Sequence, residues 1–80
     1  MKDLADKTEI ELYVINKVRE MRLERGISQA DLAHKLDLSV GFIGNVESVR
    51  YRAKYNLNHL NKLAKIFECS FQDFFPKSPI

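Results

Sequence analysis

Basic side chains and tyrosines alternate over one short segment of this 80-residue chain, VRYRAKYN, at Val49–Asn56. The segment contains three cations and two phenols: Arg50, Arg52, Lys54, Tyr51 and Tyr55. The whole chain has a formal charge of only +2, yet residues 48–67 contain no Asp or Glu. Such cations displace counterions from a phosphate backbone, and phenols donate hydrogen bonds to it. The segment therefore favours nucleic-acid contact, with an ordinary solvated loop as the alternative.

A second stretch, SVGFIGNVES at Ser39–Ser48, has two glycines inside what should be a helix. Each glycine destabilises a helix by about 1 kcal/mol relative to alanine. At about 100° per residue, one side of this helix collects the inward residues Ile43, Val46 and Glu47. The opposite side carries Gly41, Gly44, Asn45 and Ser48. This bare side suits close approach to another molecule; alternatively, the glycines make room for a neighbouring helix or for Phe42.

Catalysis and metal binding are disfavoured by the residues that are present. No serine or cysteine has a plausible base beside it, and no paired-carboxylate or glycine-rich phosphate motif occurs. His34 and His59 lie in separate segments, with one distant cysteine, so they do not make a metal-binding set. Cys69 lies among apolar neighbours and is expected to be a reduced, buried thiol. We expect no enzymatic activity, no metal and no cofactor.

The length and composition indicate one small folded domain over residues 1–80, with flexible ends at 1–7 and 77–80. Hydrophobic residues make up 45% of the chain and charged residues 30%, which is typical of a folded soluble domain. No apolar run approaches the roughly 20 residues of a membrane span. The polar, acidic start of the chain does not resemble a signal peptide. We expect a cytoplasmic protein that does not bind membranes.

Five short helices and no strand are predicted from capping residues and hydrophobic spacing. The expected caps are Thr8, Ser28, Ser39, Asn56 and Ser70. The first helix should end near Arg25 because Gly26 follows, and the second should end near Asp37. Pro76 should stop the fifth. The predicted fold class is therefore a compact, all-α, five-helix domain.

Apolar residues at helical spacing define the expected core. They are Val14, Val18, Met21, Leu32, Ala33, Leu36, Leu38, Ile43, Val46, Leu57, Leu60, Leu63, Ala64 and Phe67, with Phe71, Phe74 and Phe75 in the last helix. A second stripe on the first helix is formed by Leu12, Ile15 and Leu23. This stripe could be surface or an oligomer contact.

The second and third helices are joined by only about three residues, so they should cross at a steep angle. Their sequence, QADLAHKLDLSVGFIGNVE, resembles the helix-turn-helix of the Cro and phage-repressor (XRE-type) family, at about residues 28–48. The resemblance extends from about Val14 to Phe75 through RLERGISQADLAHKLDLS, IGNVES and NLNHLNKLAKIFECSFQDFF. Asp37 and Val49 stand where the family often has glycine, and the loop before Asn56 is slightly longer than usual.

The resemblance implies that the third helix lies in the DNA major groove. It places Val40, Gly41 and Asn45 at base edges and Gln29 close enough to reach the DNA. With the basic segment, the candidate DNA-binding residues are Gln29, Ser39, Val40, Gly41, Phe42, Gly44, Asn45, Ser48, Arg50, Arg52, Lys54 and Tyr55. It also implies a structural ion pair between Arg22 and Glu47.

The function that these features indicate is sequence-specific binding of double-stranded DNA by a transcriptional regulator. A two-fold homodimer on an inverted repeat is the expected form. The alternative is an antitoxin-like module on the same fold, which binds a partner protein and for which DNA is secondary.

Overall fold

Four α-helices are followed by one 3-10 turn in the computed structural model, which describes residues 7–80. The helices are α1 (Glu9–Glu24), α2 (Gln29–Leu36), α3 (Val40–Glu47) and α4 (Leu57–Phe67), and the 3-10 turn is Phe71–Phe74. The described residues contain no strand, so the all-α class is confirmed. None of their helices is long and apolar enough to span a membrane. Of the flexible end predicted for residues 1–7, residues 1–6 lie outside the described residues.

The helices begin and end where the caps predict. The side chains of Thr8, Ser28, Ser39 and Asn56 each accept a hydrogen bond from the backbone N–H three residues ahead. Gly26 follows α1 with φ +66°, and Asp37 ends α2 in the left-handed conformation with φ 61°. An aspartate adopts this conformation at lower cost than most residues. The missing turn glycine therefore leaves the fold unchanged.

The predicted fifth α-helix is wrong, because the segment forms a single 3-10 turn. Ser70 and Asp73 make the expected capping box. The next residue, Phe75, is extended, with φ −114° and ψ 152°. A residue before proline is sterically disfavoured in the helical region, and Pro76 follows Phe75 directly. The four residues left between the cap and Phe75 are too few for a stable α-helix.

The core is formed by the inner sides of all four helices and by one phenylalanine of the 3-10 turn. Its buried members include Val18, Leu32, Ala33, Leu36, Ile43, Leu63, Phe67 and Phe74. Leu57 is 81% exposed, and Phe71 and Phe75 are also exposed, contrary to the predicted pattern. Leu57 is the first residue of α4 and lies beyond the core, whereas the short turn directs only Phe74 inward.

The second apolar stripe on α1 is divided between interior and surface. Ile15 is buried within the chain, Leu12 is partly buried, and Leu23 is exposed. The stripe is therefore not one continuous surface.

Candidate nucleic-acid interface

Helices α2 and α3 pack closely against each other, and α2 contains a fully buried alanine. Ala33 has no exposed surface, and its carbonyl oxygen accepts a hydrogen bond of 2.9 Å from the backbone N–H of Leu38 in the turn. Ile43 and Val46 of α3 are also fully buried. One side of α3 is thus fixed against the domain, and its other side faces outward.

The outward side of α3 is bare, as its glycines suggested. A Cβ atom added to Gly41 would meet no atom within 4 Å. One added to Gly44 would lie 3.6 Å from Oε1 of Gln29, an ordinary contact distance. Packing within the described residues therefore requires glycine at neither position. Val40, at the start of the same helix, is exposed.

Glu47 is the centre of a buried polar network at the end of α3. The Arg22 guanidinium donates two hydrogen bonds to its carboxylate, with N–O distances of 2.9 and 2.8 Å. The two side chains are only 6% and 4% exposed. Gln29 donates a third hydrogen bond, of 3.0 Å, through Nε2, and Nε of Arg19 lies 3.8 Å away. The network joins α1, α2 and α3.

Ser39 caps the start of α3, and Ser48 lies at its end and bonds to the segment that follows. The Ser39 hydroxyl accepts the backbone N–H of Phe42 at 3.1 Å. The Ser48 hydroxyl accepts the backbone N–H of Arg50 at 3.1 Å. Between them, the side chain of Asn45 is partly exposed and makes no hydrogen bond among residues 7–80. Asn45 is thus the α3 residue on this side whose amide is available to a ligand.

The structure corrects the assignment of Phe42 and Tyr55 to the DNA surface, because both side chains pack inward. The Phe42 ring lies against Tyr55 and His59, with ring centroids 6.5 and 5.2 Å away. The Tyr55 hydroxyl is buried and has no hydrogen-bond partner in the described structure. Burial, with the nearby Glu47 charge, raises the pKa of Tyr55 well above its usual range. Neither side chain can reach a phosphate from this position.

The basic segment divides into an anchored part and an exposed part. Nζ of Lys54 lies 3.0 Å from the Glu11 carboxylate, which ties the segment to the start of α1 instead of leaving the ammonium directed outward. Arg50 and Arg52 are exposed. Tyr51, which the candidate site residues omitted, is 50% exposed. It is therefore Tyr51, not Tyr55, whose phenol can reach a ligand.

Lys7 is a further residue near α3 that sequence reasoning missed, since it fell in the predicted flexible end. The residue is only 8% exposed. Its ammonium donates to the backbone carbonyl oxygens of Val46 at 2.7 Å, Ser48 at 2.6 Å and Asn45 at 3.3 Å. Val49 could have indicated such a residue. A helix end that is not followed by glycine needs another hydrogen-bond donor for its last carbonyl groups.

Residues 7–80 contain no group of three His, Cys, Asp or Glu side chains that could hold a metal ion. The Nδ1 atom of His59 accepts the backbone N–H of Asn56 at 3.0 Å, and burial lowers the pKa of His59. Burial also raises the pKa of the Cys69 thiol. His59 completes the capping box of α4, and Cys69 is partly buried against the core, not fully buried as expected.

Two closely packed helices joined by a short turn, the second with a bare outward side, define a helix-turn-helix domain. The model of the Cro/C1-type HTH DNA-binding domain family matches residues 17–76, and the chain belongs to that family. A search of curated proteins gives no significant match.

Solved structures include close structural neighbours of this fold. The restriction-modification controller protein C.AhdI from Aeromonas hydrophila is 28% identical with a TM-score of 0.66, over 80% of this chain and 96% of that protein. The hypothetical transcription factor NHTF from Neisseria has a TM-score of 0.71 at 23% identity, over 96% of this chain and 87% of that one. The chain is therefore a DNA-binding regulator. These findings do not favour the antitoxin-like alternative.

Proposed function

We propose that the protein is a cytoplasmic, sequence-specific regulator that binds double-stranded DNA with α3 in the major groove. The observation that carries the proposal is the open space around Gly41, on a helix whose inner side and both ends are fixed. Because Gly41 and Gly44 have no side chains, the α3 backbone can approach base edges closely at these two positions. The B-DNA major groove is wide enough to admit an α-helix.

Few side chains are available to read bases, and they favour A·T pairs. The carbonyl and amide of Asn45 match the N6 donor and N7 acceptor of adenine, and the exposed Val40 can contact a thymine methyl group. Gln29 keeps its Oε1 and one N–H after its bond to Glu47. We expect it to bind a phosphate or an adenine. DNA shape then supplies the remaining specificity.

Replacing Gly41 with alanine should change stability and DNA binding in opposite directions. The free protein should gain up to about 1 kcal/mol of stability, because alanine favours a helix and the added methyl meets no neighbour. Binding to the preferred duplex should weaken, since the methyl holds the helix away from base contacts worth about 1–3 kcal/mol each. Thermal unfolding and fluorescence-anisotropy titration with a duplex selected from a random pool measure the two effects.

Asn16→Ala is the matched control, because it improves helix propensity at an exposed position of α1. It should raise stability without altering affinity for DNA. A Gly41→Ala variant that binds the selected duplex as tightly as the parent, or a G·C-rich selected consensus, would contradict the proposed docking.

Phosphate contacts are proposed for the exposed part of the basic segment, with Arg50, Arg52 and the Tyr51 hydroxyl as donors. Their position directly after α3 supports this proposal, because DNA backbone lies on both sides of the groove that α3 would enter. Contacts to phosphates supply affinity but carry no sequence information directly.

Arg50→Ala should therefore weaken binding to all duplexes alike. The slope of log affinity against log salt should become shallower by up to about one unit, since one fewer counterion is released. Titrations at several salt concentrations, with selected and scrambled duplexes, measure this slope. Lys65→Ala removes the same charge from the last turn of α4 and serves as the control. Equal slopes for both variants and the parent would show that Arg50 does not touch phosphate.

A homodimer is proposed to form through the exposed apolar patch of Leu57, Phe71 and Phe75. The side chains beside this patch include Asn58 and Asn61. Because these amides carry no charge, two copies can meet there without like-charge repulsion. A two-fold dimer would place its two α3 helices in successive major grooves, about 34 Å apart. The stoichiometry of the complex in the same titrations, two chains per duplex, tests this arrangement.

A further inference from the structure

The C-terminal end of α3 lacks the backbone cap that many helices have. The last carbonyl groups of any α-helix have no partner inside the helix. Many helices satisfy them with a left-handed glycine just beyond the end. Here Ser48 is extended, with φ −94° and ψ 138°, and Val49 follows it. The carbonyl groups at this end need another donor.

The ammonium group of Lys7 supplies that donor. Its three N–H bonds match the three carbonyl oxygens of Asn45, Val46 and Ser48. A positive charge at this end also interacts favourably with the helix dipole. The site is nearly closed to solvent, because Lys7 is 8% exposed. Lys7 thus stands in for the missing glycine cap.

The position of Lys7 is itself fixed by the start of α1. The next residue, Thr8, is the N-cap of α1, and its backbone N–H donates to the Glu11 carboxylate at 2.8 Å. The other oxygen of that carboxylate pairs with Lys54 of the basic segment. The start of α1, the end of α3 and the basic segment therefore meet at one place.

We propose that Lys7 is a positioning residue for DNA recognition, which holds the end of α3 in the helical form that presents Asn45. This inference rests on the proposed docking of α3 in the major groove. Lys7 does not touch DNA in this arrangement, because its ammonium is turned toward the helix end. The residue acts on sequence discrimination through the geometry of α3, and not through phosphate charge.

Lys7→Met tests the proposal, because methionine has a similar unbranched shape without the charge or the donors. Lys17→Met is the matched control, since Lys17 lies on the exposed side of α1 in a surface pair with Glu20. Both variants are compared with the parent below their melting temperatures. Hydrogen exchange measures the protection of backbone amides at the end of α3. Anisotropy titrations measure affinity for selected and scrambled duplexes at several salt concentrations.

The expected result has two parts. Backbone amides at the end of α3 and at Ser48 should lose protection in Lys7→Met, while those of α2 and α4 keep theirs. Affinity for the selected duplex should fall by about tenfold, because apparent affinity scales with the fraction of chains in the binding-competent form. Affinity for the scrambled duplex and the salt slope should match those of Lys17→Met.

Three outcomes would overturn the proposal. Equal losses on both duplexes with a shallower salt slope would mean that Lys7 binds phosphate. A uniform loss of protection over all helices would mean that it stabilises the fold generally. Unchanged protection at the end of α3 would mean that the hydrogen bonds from Lys7 do not stabilise this end of the helix. If the parent failed to discriminate between the two duplexes, the proposed docking of α3 would be wrong. Hydrogen exchange would still show whether Lys7 holds the end of α3.

Discussion

Glu47→Ala should lower the free energy of unfolding by about 3–5 kcal/mol, because it leaves the buried Arg22 guanidinium without a counter-charge. Arg22 is only 6% exposed and keeps one other hydrogen bond, of 2.8 Å, to the Ile27 carbonyl oxygen. The variant also removes the acceptor for Gln29. The total free energy of unfolding of a small domain is only about 5–15 kcal/mol. A partly unfolded population of the variant is therefore expected. Urea unfolding followed by circular dichroism measures the loss.

Glu20→Ala is the control for the removal of a carboxylate. Glu20 is exposed and pairs with Lys17 at 3.7 Å on the surface of α1. Such pairs contribute about 0.2–1 kcal/mol, so this variant should unfold nearly as the parent does. If Glu47→Ala and Glu20→Ala had the same unfolding midpoint, the Arg22–Glu47 pair would not be a structural element.

Phe74→Ala is expected to have a comparable effect, of about 3–5 kcal/mol, through loss of packing. Phe74 is the largest of the fully buried side chains, and the 3-10 turn holds it against α1 and α4. Its removal would leave a cavity that the short turn cannot easily close. In the monomer, Phe71→Ala, in the same turn but on an exposed side chain, should lower the free energy of unfolding by less than about 1 kcal/mol.

Chemical denaturation of the two phenylalanine variants, side by side, measures the difference between them. Equal and small losses would show that the 3-10 turn is a dispensable appendage. A large loss of stability for Phe74→Ala alone would show that this turn completes the core, even though it is not the α-helix that the sequence pattern predicted.

The helices could be predicted because their signals are local. Thr8, Ser39 and Asn56 each accept the backbone N–H that the capping pattern assigns to them. The last element failed because two local signals conflict: Ser70 starts a helix, and Pro76 forces Phe75 out of the helical region. Burial at the helix edges was harder to predict, as Leu57 shows, since periodicity does not reveal where the core ends.

The candidate site was predictable on the regular helix and not on the irregular segment after it. On α3, helical geometry alone places Gly41 and Asn45 on the outward side. In the loop, no period relates Tyr51 to Tyr55, so the buried phenol could not be distinguished from the exposed one. The partner of Lys54 lies on α1, and such a contact between distant parts of the chain leaves no local pattern.

The contact between Lys7 and α3 also bears on the order in which the chain folds during synthesis. Lys7 and the Ser48 carbonyl are 41 positions apart, so the ribosome makes the donor long before its acceptor. Closing so long a loop takes more chain entropy than forming a helical turn, which makes this a late contact. Late contacts mainly slow unfolding and have little effect on the folding rate. Lys7, although made early, would thus form its contacts late and slow the unfolding of the domain.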